Sequence, residues 1–259
     1  MPTITTASNT KLHFLDAGQG DRVAVCVHGN LGCAKWWWKT MAALPPGYRG
    51  VAIDLPGSGS SPETGQRHTM EYLAEVVAEL VDTLGLDNFD LVGHSMGGGV
   101  AQLYTIEHPE RVRRLVLVDS MAMDGFHVLA GYPQEQLRRL REERDYLRRA
   151  LAAVAPYCAD PSLFEELVEA AWNASDQVFF EQPMTMHEAN WSDRIDRIRC
   201  PTLFLHGAED DFVPKEGSER TAAAIANCEL RYLDGCGHSP MVEIPERFNA
   251  AVFAFLERP

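Results

Sequence analysis

Short, unbroken apolar runs recur along the chain, and most end on residues able to do chemistry. Val23-Ala24-Val25-Cys26-Val27 is such a run, the pattern of a strand buried on both faces in a parallel sheet. It stops at His28-Gly29-Asn30. Val51-Ala52-Ile53 likewise stops at Asp54, ahead of the turn-rich Pro56-Gly57-Ser58-Gly59. Phe89–Val92, Leu115–Val118, Thr202–Leu205 and Glu229–Leu233 read as further strands. Thr3–Thr6 and Leu12–Asp16 flank the turn-prone Ser8-Asn9-Thr10 and read as an entry hairpin. Between the strands lie helical patterns. Met70, Leu73, Val76, Val77, Leu80, Val81 and Leu84 recur at helical spacing and end before Gly85, suited to the position just past a helix. Gly97–Glu107, Glu216–Ala226 and Pro245–Leu256 complete the set. Strands alternating with helices predict a parallel sheet with helices on both faces.

The alternation breaks after Asp119. From Met121 to about Arg199 no strand pattern occurs. Leu137, Leu140, Leu147, Leu151 and Val154 instead trace a stripe through the charged stretch Gln134–Ala153, and helical pieces follow near Leu163–Trp172 and Asp176–Asn190. An insertion of about 80 residues is far beyond an ordinary connection. The expected architecture is therefore α/β, with a mostly parallel eight-stranded sheet. Its core spans 1–120 and 200–259, and an all-helical cap, 121–199, follows the sixth strand.

Composition narrows the partners more than the fold. The 259 residues are 46% apolar, ordinary for a globular protein, and long enough for one large domain with a lid. Lys and Arg number 23 against 37 Asp and Glu, a net charge of −14. That surplus argues against nucleic acid and anionic membranes, which both need clustered cations. The cap stretch 134–150 is locally basic, with six Arg against four acids. Such a stretch could guide an anionic substrate, but a solvated helix face laced by ion pairs is the reading preferred. The N-terminus has neither the basic nor the apolar region of a secretory leader, and no apolar run approaches the roughly 20 residues of a membrane span. Six scattered cysteines without CxxC pairs fit free, mostly buried thiols in a reducing cytoplasm, and no Cys/His cluster has zinc-like spacing. A monomer or homodimer acting on a small molecule is expected.

Gly93-His94-Ser95-Met96-Gly97 matches G-x-S-x-G directly after a strand and ahead of a helix. Glycines two residues either side relieve crowding around a strained serine, and the turn lifts its hydroxyl above the sheet. The helix N-terminus beneath favours developing negative charge. A serine hydroxyl needs a neighbouring imidazole to take its proton. Of nine His, His238 is best placed, in Gly235-Cys236-Gly237-His238-Ser239-Pro240 between the last strand and last helix. That loop belongs at the carboxyl edge of the sheet, where α/β sites form. His28 lies in the turn after its strand and is expected to fix that turn. The imidazole needs a carboxylate, and Glu209, Asp210 and Asp211 all follow a strand, with Asp119 a separate candidate.

In this order the chain resembles the α/β-hydrolase superfamily, particularly its small esterase and lactonase-like members with a helical lid. Val27-His28-Gly29-Asn30, Gly93-His94-Ser95-Met96-Gly97-Gly98, His206–Pro214 and Gly237-His238 carry the resemblance. Asp54-Leu55-Pro56-Gly57-Ser58-Gly59-Ser60-Ser61 is similar to the family's D-x-x-G-x-G-x-S loop. The resemblance implies Ser95, Asp210 and His238 as catalytic residues, Asp210 standing three residues after the glycine and three before Val213, with Asp119 the reserve acid. It implies an oxyanion hole from the backbone N–H of Asn30 and Met96, Leu31 replacing Asn30 if the loop is shifted by one. Leu31, Trp36, Phe212 and Met241 are expected to contact substrate, and Met and aromatic residues of the cap are candidates for an acyl pocket. Serine at the turn excludes relatives that need an Asp nucleophile. The implied reaction is hydrolysis of small to medium apolar esters or lactones, with no cofactor and no metal. A C–C hydrolase of ring-cleavage diketones and a non-catalytic receptor are the alternatives.

Overall fold

The computed structural model describes residues 2–126 and 134–258. Eight strands form one sheet: β1 (Thr3–Thr5), β2 (Lys11–Gly18), β3 (Arg22–Val27), β4 (Tyr48–Asp54), β5 (Phe89–His94), β6 (Val112–Val118), β7 (Thr202–Gly207) and β8 (Cys228–Leu233). The spatial order is β1-β2-β4-β3-β5-β6-β7-β8. β1 and β2 join antiparallel, and every pair from β4 onward is parallel.

Period-2 alternation sends successive strand residues into two apolar layers. Val25, Val27, Leu91, Leu115, Leu117 and Phe204 face one layer, with α2 (Met70–Thr83) and α3 (Met96–Glu107). Ala24, Cys26, Val92, Val116, Leu203 and Leu205 face the other, with α10 (Pro245–Leu256). This explains why the central strands read as unbroken apolar runs. β5 and β7 extend beyond those runs to His94 and Gly207, because polar and glycine ends still pair in the ladder. The Trp36-Trp37-Trp38 stretch, unassigned by its pattern, begins as a 3-10 turn (Ala34–Trp37) and continues as α1 (Trp38–Ala42).

Among the described residues between β6 and β7 stand four α-helices, α4 (Gln134–Glu142), α5 (Arg144–Val154), α6 (Pro161–Trp172) and α7 (Asp176–Glu188), and a 3-10 turn (Ile195–Arg197). The stripe through 134–153 belongs to two helices, not one. Glu143 breaks it with extended backbone, φ −113° and ψ 97°, and both halves keep their leucines turned inward. Asp160 starts α6, its carboxylate accepting the Leu163 N–H at 3.1 Å ahead of Pro161 at the first helical position. The arginines of α4 and α5 pair on the surface, within a helix (Arg139–Glu143) and between helices (Arg141–Asp176, Arg144–Glu169, Arg148–Glu165). Exposed pairs of this kind contribute about 0–1 kcal/mol each. The remaining helices are α8 (Lys215–Ala224) and the short α9 (Pro240–Glu243). All six cysteines are free thiols. Among the described residues no helix is long and apolar enough to cross a membrane.

Candidate active site

Ser95 sits where β5 turns into α3, with φ 55° and ψ −121°, a left-handed conformation that costs a non-glycine residue about 1–3 kcal/mol. The backbone is tied down to hold it. Ser95 N–H donates to Val118 C=O at 3.0 Å, and Ser95 C=O accepts from Gly98 at 3.0 Å and Met121 at 3.1 Å. Gly97 is required by close approach, since a Cβ there would strike the carbonyls of Val27 and His28. The serine is thus held over the amino end of α3, whose first N–H groups have no intrahelical acceptor.

His238 lies between β8 and α9. Its Nδ1 is 2.8 Å from Asp210 Oδ2, which leaves Nε2 as the basic nitrogen of the neutral ring. Asp210 Oδ1 accepts the N–H groups of Phe212 (2.7 Å) and Val213 (3.0 Å). Burial pushes the Asp210 carboxyl up, but His238 and the two N–H groups more than offset this and hold it at about 2. The His238 loop is fixed by a residue that the sequence did not single out. Glu243 accepts from Gly237 N–H at 3.0 Å and Ser239 N–H at 2.7 Å. His94 is a second such residue: its Nε2 donates to the His238 carbonyl at 2.9 Å and its ring stacks on Trp36. Burial and then the nearby His238 keep His94 neutral. Its only signal in the sequence was its place beside Ser95.

The loop after β3 provides further backbone donors. His28 Nδ1 donates to Gly29 C=O at 2.8 Å, and its Nε2 accepts from Leu55 N–H at 3.1 Å, pinning the turn to the end of β4. Burial lowers the His28 pKa, in keeping with these neutral-ring roles. Gly29 packs against Ser95, where a Cβ would fall 2.9 Å from the serine's own. Leu31 adopts φ 58°. The N–H groups of Asn30 and Leu31 donate to no acceptor among the described residues. The Asn30 side chain turns away to the cap, where Nδ2 donates to Val178 C=O and to Gln182 Oε1, both at 2.8 Å. Gln182 in turn lies 3.2 Å from His68 Nδ1.

Ser95 and His238 share the wall of a cavity of about 250 Å³. Leu31, Trp36 and Phe212 line it. Met241 does not: on α9 it is fully buried in the apolar layer beside α10, because the helical turn after Pro240 points it into the core. The roof is Leu137, Leu140, Leu151, Val154, Phe179 and Met186. Of the other cap candidates, Met121, Phe126 and Trp191 pack in the core and Met184 is exposed. Among the described lining residues Asp211 is the charged carboxylate, and no Lys or Arg is present. The undescribed stretch 127–133 contains neither residue type.

Asp119, at the end of β6, is fully buried with φ 41°. Its Oδ1 accepts the Gly207 N–H at 2.7 Å. The carboxylate hydrogen-bonded to His238 is that of Asp210.

The sequence model of the alpha/beta hydrolase family matches residues 24–251. A 2-hydroxy-6-oxononadienedioate/2-hydroxy-6-oxononatrienedioate hydrolase of Escherichia coli is 31% identical over 96% of this chain and 92% of its own length. Among solved structures, a thermophilic esterase from Thermogutta terrifontis superposes with TM-score 0.86 at 27% identity, covering 98% of this chain and 97% of the other. The enol-lactonase from Burkholderia xenovorans LB400 superposes with TM-score 0.89, covering 99% of this chain and 100% of that one; at 22% identity it speaks for the fold alone. With the match extending from β3 into α10, the chain belongs to the alpha/beta hydrolase family.

Proposed function

We propose that the protein is a serine hydrolase of small to medium, uncharged apolar esters or lactones. The observation that supports this best is a Ser95–His238–Asp210 constellation opening on an apolar cavity whose charged lining residue is an aspartate. The cavity of about 250 Å³ has room for a small-molecule ligand. In the proposed cycle His238 takes the Ser95 proton as Oγ attacks the carbonyl. The N–H groups of Met96 and of Asn30 or Leu31 receive the oxyanion. His238 then protonates the leaving alcohol. Water, deprotonated by the same imidazole, cleaves the acyl-enzyme and frees the acid. Asp210 holds the ring's tautomer and balances the imidazolium charge. The mechanism calls on no cofactor.

A second reading, C–C bond hydrolysis, has the 31% identical relative in its favour. The substrate in that relative's name is a dicarboxylate. A dianion entering this cavity would meet Asp211 and no Lys or Arg among the described lining residues, which favours the uncharged ester. Turnover of p-nitrophenyl butyrate, of an uncharged lactone and of a dienedioate diketone by the wild type and Ser95→Ala separates the readings. Ester or lactone turnover lost in Ser95→Ala supports the proposal. Turnover of the diketone alone selects the second reading, and ester turnover that survives Ser95→Ala overturns the mechanism.

A further inference from the structure

Asp119 is not needed to orient His238, yet it is a fully buried acid placed beside the group that does. One ligand atom each of Asp119, His206 and Asp210 lie within 4.8 Å of one another, all three residues buried. Asp119 Oδ1 is satisfied by Gly207 N–H, but Oδ2 is buried with no hydrogen-bond donor. His206 does not supply one. Its Nδ1 is 2.9 Å from Ser218 Oγ and 3.7 Å from Asp119 Oδ1, too far for a hydrogen bond. The other ionisable groups felt at this spot are His238, Glu243 on α9 and the Cys236 thiol, with Lys215 acting on His206 and Arg247 on Cys236; neither cation supplies a donor to Asp119 Oδ2. A buried carboxylate oxygen without a donor, on a carboxylate that has a ligand atom within 4.8 Å of one on a second buried carboxylate, is a costly arrangement. A proton between the two acids removes the cost, as it does wherever two carboxyls share one site.

We propose that Asp119 is a carboxylic acid at neutral pH, donating its proton to Asp210, so that the acid behind His238 is a carboxyl pair carrying one negative charge. Asp119 is then a positioning residue. It gives Asp210 a donor on the side that His238, Phe212 and Val213 leave open, and holds that carboxylate in the plane of the imidazole. Burial, and next the charge of Asp210, push the Asp119 carboxyl well above its usual range, in the direction required. An asparagine matches this role atom for atom, its carbonyl accepting from Gly207 and its NH₂ donating to Asp210. Alanine supplies neither.

The kinetic arm of the test rests on the proposed triad; the spectroscopic and thermal arms do not. In the wild type, the infrared C=O stretch of a protonated carboxyl is expected at neutral pH and is absent from Asp119→Asn. Thermal stability of Asp119→Asn relative to wild type is expected to grow as pH rises above 4, because the wild type must retain a proton there that its unfolded chain releases. For the ester reaction, Asp119→Asn should keep kcat within about threefold and leave the acidic limb of kcat/KM, which reports the general base, in place. Asp119→Ala should lose about tenfold in kcat. Were Asp119 ionised, removing its charge would move that limb to lower pH by about one unit, and no protonated-carboxyl band would be seen in the wild type. Either result overturns the proposal, and the band is read on wild type, so no variant has to fold. If no ester is hydrolysed at all, the triad reading fails while the band and the stability difference still decide the carboxyl pair.

Discussion

The sheet's carboxyl edge and the helical cap enclose the same cavity but are built by opposite means. At the edge, backbone hydrogen bonds and close contacts leave little choice: Ser95, Leu31 and Asp119 are all held at positive φ, and Gly97 cannot carry a Cβ. The described part of the cap is four α-helices whose cavity-lining residues are apolar, with Gln182 the buried polar residue bonded to Asn30, and whose outer faces carry exposed ion pairs. On the proposed function the edge would hold the reacting groups, while the cap would set the cavity's shape and polarity by side-chain size. Chemistry and specificity are then expected to be separable by mutation.

The largest effect should come from the edge. His238→Ala is expected to lower kcat on p-nitrophenyl butyrate by about 10⁶-fold, with the circular-dichroism spectrum unchanged; an active variant breaks the assignment. Asp210→Asn should cost about 10⁴-fold, far more than Asp119→Asn, and the reverse ranking would exchange the two acids. In the cap, Ala150→Phe narrows the cavity wall. It should cut kcat/KM for a hexanoate ester about tenfold relative to an acetate ester, leaving acetate turnover near wild type. Equal losses on both esters would deny the separation. Stability sharpens the contrast further. Asp210 is depressed from 3.8 to about 2, so its contribution of about 2 kcal/mol is complete above pH 4 and fades as pH falls toward 2. In urea unfolding the advantage of wild type over Asp210→Asn should shrink between pH 5 and pH 3. Arg148→Ala, which removes an exposed pair with Glu165, should cost under about 1 kcal/mol and leave turnover unaltered.

The same contrast decides what could be read from the residues alone. Edge features announce themselves locally. An apolar run ending on His28, Gly93 or His206 is short, ordered and chemically odd, so the strands and the candidate triad were visible in one dimension. Cap features depend on what lies opposite. Leu137, Leu140 and Leu147 share one stripe in sequence, yet the first two line the cavity and Leu147 packs away from it. Nothing in the stripe marks Glu143 as a break. Met241 is expected to contact substrate, but a proline-started helical turn places it in the core. The juxtaposition of Asp119 and Asp210 spans two strands and the whole cap, a relation that no local pattern carries.

The Asn30 side chain has a mechanical consequence. Its amide is bonded to Val178 and Gln182 of α7 while its backbone forms the turn beside Ser95. An outward displacement of α7 beyond hydrogen-bond tolerance must drag that turn along or leave polar groups on both sides unpaired. If ligand exchange displaced α7, it and the alignment of the N–H groups beside Ser95 would be competing demands on one side chain. In a molecule built this way, any ligand passage that required α7 to move would act on the turn beside Ser95 through the Asn30 side chain.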